Sequence, residues 1–184
     1  MIGHSQRTHI VAVIAFVLML CSSGCLLVRT TEHIITLRED GGGEGVIHLI
    51  DIRSDAPSDS LVRLDFDELM KAYGARKVEE FEKYGRRITA KRLRVRGDTL
   101  MAEITYVFSS YDAVEGLRVS PNEMAIEFSP EREVIKTNGK MSRMENQGTR
   151  ITWKRATDRL VYEVREKELP PSVSLVFLYK KYGR

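Results

Sequence analysis

An unbroken apolar run from Ile10 to Leu20, closing on Ser22, Ser23, Gly24 and Cys25, constrains this chain more than any other feature. Arg7 is the only charged residue before Arg29. A basic start, an apolar core and small residues at a cleavage point make a secretory signal peptide; small side chains let a protease hold the backbone extended. The domain is then built from the residues beyond that signal and folds outside the cytoplasm. A continuous helix from Ile10 to Val28 would be about long enough to span a bilayer. Ser22, Ser23 and Gly24 interrupt that alternative in its middle.

The chain has two cysteines, Cys21 and Cys25. Cys21 leaves with the signal peptide, so the exported protein keeps only Cys25 and no disulfide. Ser23-Gly24-Cys25 resembles the lipobox of bacterial lipoproteins, with Ser22 standing where the pattern usually has Leu. The resemblance implies a diacylglyceryl group on the Cys25 sulfur, cleavage after Gly24 and acylation of the new amino terminus. It implies a signal peptide over 1–24; the strand pattern starts near Thr31, which leaves a lipidated tether over 25–30 and a single domain over 31–184. Leu26 lacks the Asp that marks inner-membrane retention, which favours the outer membrane in an organism that has one. A six-residue tether holds the domain within about 20 Å of lipid.

Hydrophobic residues at 42% and charged residues at 30% are a globular composition. A domain of roughly 150 residues buries about two-thirds of its unfolded surface, enough for a core without disulfides. The net charge of +3 is too mild for nucleic acid, and no basic arm or zinc-finger spacing accompanies it.

After the anchor the pattern is strands with one main helix. His33–Arg38 and Val46–Ile52 form a first hairpin around Asp40-Gly41-Gly42-Gly43-Glu44, where glycine permits the reversal. A phosphate-cradling role for these glycines needs a following helix, and a strand follows instead. Residues 53–60 are a polar loop. A helix is expected over 65–84, opened by an Asp65/Glu68 capping box and burying Phe66, Leu69, Met70 and Tyr73. Val78 and Phe81 continue that face beyond Gly74, and Gly85 closes it.

A second hairpin turns at Gly97-Asp98, pairing Val95 with Leu100, Leu93 with Ala102 and Arg92 with Glu103. Met124–Phe128 and Val134–Lys136 are short strands, and 137–148 is a loop. Arg150–Lys154 and Leu160–Val164 read as a third hairpin around Ala156-Thr157. Val173–Tyr179, apolar on both faces, reads as a central last strand after Pro170-Pro171. The fold class is α+β: an antiparallel sheet of hairpins with one principal helix packed on it. In layout, with the Gly41-Gly42-Gly43 hairpin soon after Cys25, the first half resembles the LppM-type domain of exported lipoproteins.

Catalytic constellations are missing. His33 and His48, on facing strands, are the only histidines past the signal peptide, too few for a usual metal site. There is no nucleophile elbow, H-E-x-x-H or P-loop, and no cofactor is expected. The reading is a non-enzymatic binding or accessory module held at the bacterial envelope by Cys25. An envelope protein and anionic lipid are its candidate partners. Arg92, Arg94 and Arg96 are candidates for contact with lipid headgroups, weighed against ordinary charged-strand chemistry. A lipid- or amphiphile-binding protein with a pocket between sheet and helix is one alternative, an envelope hydrolase another.

Overall fold

The structure is a computed structural model, and it describes residues 26–75 and 79–183. The α+β class is as expected. The larger sheet has strand order β3-β4-β2-β1-β10-β7. Its members are β1 (Leu26–Leu37), β2 (Gly43–Ser54), β3 (Arg86–Arg96), β4 (Thr99–Phe108), β7 (Arg132–Thr137) and β10 (Arg159–Glu166). A smaller sheet has order β5-β6-β9-β8, from β5 (Arg118–Val119), β6 (Glu123–Phe128), β8 (Lys140–Arg143) and β9 (Thr149–Lys154). Helix α1 is Asp59–Gly74, α2 is Glu79–Lys83, and α3 (Val176–Tyr182) follows the two-residue strand β11 (Val173–Ser174).

One face of the larger sheet is covered in two halves. Over one half lies the smaller sheet, with Met124, Ile126, Phe128, Ile151 and Trp153 meeting Ile35, Ile47, Tyr106, Phe108 and Tyr162. Over the other half lie α1 and α3, whose Val62, Phe66, Val176 and Leu178 meet Leu26, Ile52, Leu93 and Leu100. Asp51 takes φ 63° between these halves. That left-handed residue breaks the alternation of β2, so Ile47 and Leu49 point inward before it and Ile52 and Ser54 after it. Arg29 and Arg53 hold its carboxylate, at 2.8 and 3.3 Å.

Both early hairpins form as read. Gly41, at φ 89°, makes the first turn. Gly43 and Gly45 serve a different purpose: a Cβ there would collide with the rings of Phe108 and Tyr106. The glycines therefore seat two large aromatics flat against the strand. The second hairpin has the expected register, Val95 opposite Leu100, Leu93 opposite Ala102 and Arg92 opposite Glu103. Gly97 supplies the positive φ of its turn, and Gly85, at φ 72°, closes α2.

Other expectations fail. Leu26, Leu27, Val28 and Thr30, expected as tether, are paired with β2 within strand β1. Leu26 to Val28 are likewise strand, which cuts the spanning-helix alternative short; residues 1–25, with the signal peptide, lie outside the described residues. Helix α1 starts at Asp59, six residues early, and Val78 lies outside the described residues. Tyr73, expected in the core, is exposed. Strand β8 occupies part of the expected loop over 137–148. The third hairpin does not exist: β9 pairs with β6 and β8, β10 with β1 and β7, and the chain at Ala156-Thr157 passes between the sheets. The expected last strand is mostly α3, because past Ile50 only a short stretch of β2 is left to pair, at Arg53 and Ser54.

Asp65 does not open the helix. It is buried at mid-helix, where the Ser54 hydroxyl donates to its Oδ2. Ser54 is itself fully buried and accepts from the Ala56 N–H at 3.1 Å. Ser54→Ala removes this donor from a buried acceptor and is expected to cost about 1–3 kcal/mol in a urea melt. Ser58→Ala, at an exposed N-cap without a side-chain cap bond, should stay within about 0.5 kcal/mol. Equal losses at the two serines would contradict the assignment.

Candidate functional site

The uncovered face of the larger sheet carries a charged row, one residue from each strand. Register places Lys136, Glu163, Glu32, His48, Glu103 and Arg92 side by side from β7 to β3. His48 bridges two carboxylates, Nδ1 to Glu32 at 2.7 Å and Nε2 to Glu103 at 3.5 Å. Lys136 reaches Glu32 at 3.4 Å, while Arg92 and Arg94 reach Glu103 at 3.7 and 3.4 Å. Burial works to raise the Glu32 pKa, but the bonds from His48 and Lys136 outweigh it and hold Glu32 below the usual carboxylate range. Beside this row runs an apolar one, Val161, Ile34, Val46, Thr105 and Ala90, all partly buried. Solvent-facing ion pairs such as Lys136–Glu32 and Arg92–Glu103 contribute little stability, about 0–1 kcal/mol each. Their effect is to hold the charges in a fixed pattern across the face.

The covered side contains a cleft between the sheets, about 90 Å³, lined by His33, Arg132, Tyr162, Glu115, Glu127 and Glu166 among others. His33 stacks on Tyr162, centroids 4.6 Å apart and planes 13° off parallel. Desolvation, helped by the guanidiniums of Arg86 and Arg132, pushes the His33 pKa down to about 3. The imidazole is therefore neutral at ordinary pH. Burial also pushes Tyr162 up and Tyr106 up to about 12, so both phenols keep their protons. Arg132 is tied to Glu166 at 2.9 Å.

Arg86, at the start of the basic strand, does not join its exposed row. It is buried on the opposite face from Arg92 and Arg94, its guanidinium 4.6 Å from the Phe81 centroid and 5.8 Å from that of Tyr106. Its Nε has no hydrogen-bond partner among the described residues, so ring faces supply part of what water would. Arg87 is exposed.

A groove between α1 and the larger sheet, lined by Leu49, Leu69, Ala72, Leu93 and Ala102, has about 50 Å³. A cavity of about 150 Å³ is needed to hold benzene, so neither space admits an acyl chain as it stands. Lys91, at the rim, donates to the Ala72 and Ala75 carbonyls at 2.7 and 2.6 Å, closing the helix C-terminus. Among the described residues no three His, Cys, Asp or Glu side chains converge as on a metal ion.

The helical end of the domain is where the chain leaves the described residues. Leu26 is buried with Leu175, Val176 and Leu178. Ser54 pairs with Leu26 on one side and Val173 on the other, so β11 lies two strand spacings, about 10 Å, from the residue after Cys25. Helix α3 buries Val176 and Leu178 in the same cluster as Leu26 and leaves Phe177 and Tyr182 about half exposed, at 51% and 45%. Lys180 reaches Asp98 in the β3–β4 turn at 3.2 Å. Arg96, opposite Thr99, belongs to this same end of the sheet.

Of the residues expected to act, Cys25 lies outside the described residues. Arg92, Arg94 and Arg96 sit on one strand as expected, two of them engaged by Glu103. Phe177 and Tyr182 escape sequence reasoning because the run 173–179 reads as a buried strand. Arg86 and His33 escape it because their burial depends on a second sheet that no local pattern announces. Comparison with protein-family models, curated proteins and solved structures finds no match to this chain.

Proposed function

We propose that this chain is an extracytoplasmic lipoprotein of the bacterial envelope, acylated at Cys25, whose domain is a binding or accessory module and not an enzyme. The observation that carries the reading is the apolar run Ile10–Leu20 closing on Ser23-Gly24-Cys25, followed at once by Leu26, which is already paired with Ser54 in the sheet. A continuous helix over Ile10–Val28 is incompatible with the pairing of Leu26, Leu27 and Val28 in β1. Cleavage after Gly24 instead leaves an acylated residue joined directly to the sheet. The outer membrane is favoured, where there is one, because Leu26 lacks the retention signal.

Binding is favoured over the two alternatives by what the domain offers. The cleft and the groove, about 90 and 50 Å³, are small against 300–1,000 Å³ for ordinary ligand pockets, which speaks against an amphiphile carrier at either. In the cleft between the sheets His33 is stacked on Tyr162 and burial pushes its pKa down to about 3, which makes it a weak base there at neutral pH. What remains is the open face with its paired charged and apolar rows, which suits an envelope protein partner.

A photo-crosslinking residue at Val46, in the apolar row, is expected to trap a discrete protein adduct in intact cells. The same residue at Met141, exposed on β8, should not. Adducts at neither position, or equally at both, would contradict a partner on the open face.

A further inference from the structure

We propose that α3 and β11 form a bilayer-contact surface, through which the domain rests on anionic lipid beside the Cys25 anchor. The inference rests on the lipoprotein reading above and adds the surface, its orientation and the class of lipid.

Place is the first argument. Leu26 shares a buried cluster with Leu175, Val176 and Leu178, β11 lies about 10 Å from it across β2, and Cys25 is one peptide, 3.8 Å between Cα atoms, from Leu26. An acyl chain on Cys25 therefore enters the membrane next to α3. No protein layer fits in that gap, since a single helix is about 10 Å across.

Chemistry is the second. Single exposed apolar residues are ordinary, but Val173, Phe177 and Tyr182 gather on one short segment, each about half exposed. Lys181 lies 5.0 Å from the Tyr182 ring, and Arg63 of α1 lies 3.8 Å over it. Aromatic rings with lysine or arginine at their edges match the headgroup layer: the ring sits at the boundary and the long cation reaches the phosphates.

Depth reassigns the basic strand. Arg96 is at the anchored end, whereas Arg94 and Arg92 lie about 7 and 14 Å further along β3. The headgroup potential falls away over about 8–10 Å at physiological salt. Arg92 lies beyond that range, and Arg94, within it, is engaged by Glu103, so Arg96 is the member of the expected trio best placed to meet lipid.

The test uses the full chain made in a bacterium, carrying Phe177→Cys or Met141→Cys, with an environment-sensitive dye on the new thiol. Each protein is reconstituted into phosphatidylglycerol-containing or pure phosphatidylcholine vesicles and exposed to aqueous iodide. Intact mass reports acylation in the same samples. Position 177 is expected to be quenched several-fold less than 141 on anionic vesicles, and to lose much of that protection on neutral ones. Acylated protein with equal quenching at both positions overturns the contact surface and leaves the lipoprotein reading standing. Protection unchanged on neutral vesicles overturns the choice of anionic lipid. Unacylated protein overturns the lipoprotein reading, and the contact surface with it.

Discussion

Lowering the pH from 7 to 4 is expected to cost the domain about 3 kcal/mol through His33 alone, beyond the losses from its carboxylates. In the folded chain the His33 pKa is held at about 3; released, it returns to 6.5. Between these values the unfolded chain holds the extra proton, so acid favours unfolding. The stability is fully present above pH 6.5 and drains away toward pH 3, at a limiting slope of about 1.4 kcal/mol per unit. Glu32, also lowered on folding, adds a loss of the same sign at more acid pH.

His33→Phe keeps a flat ring over Tyr162 and removes the titration. Urea melts of wild type and variant at pH 7 and 4 isolate the His33 share. The variant should lose about 3 kcal/mol less than wild type over this interval. Equal losses would mean that the cleft is wet enough to hydrate a protonated imidazole.

What the sequence made legible is what short-range pattern controls. The Gly97-Asp98 turn and alternation around it give the register of the second hairpin, including Arg92 opposite Glu103. The same logic cannot extend the row to His48, Glu32 and Lys136, because that needs the order of strands far apart in the chain. Ala156-Thr157 shows the limit: a turn between two alternating strands looks the same whether they pair or enter different sheets. Asp65 followed by Glu68 resembles a cap, yet its partner Ser54 precedes the whole helix. Short apolar runs such as 173–179 carry no period that separates strand from helix.

The anchor end was the hardest to read. Leu26 and Val28 follow the apolar run Ile10–Leu20, and their alternation is hidden against it. Only pairing with Ile52 and Ser54 shows them to be strand. On the lipoprotein reading proposed above, that pairing leaves one peptide link between the acylated residue and the sheet in place of a six-residue tether.

The most direct measurement is the mass of the amino-terminal peptide from protein extracted from bacterial membranes, with Cys25→Ala beside it and a fatty-acid label in both cultures. The account predicts a mature chain beginning at Cys25 and carrying diacylglyceryl mass, with label in wild type and none in Cys25→Ala. Equal labelling of the two proteins, or a wild-type peptide that retains residues 1–24 without acyl mass, would contradict it.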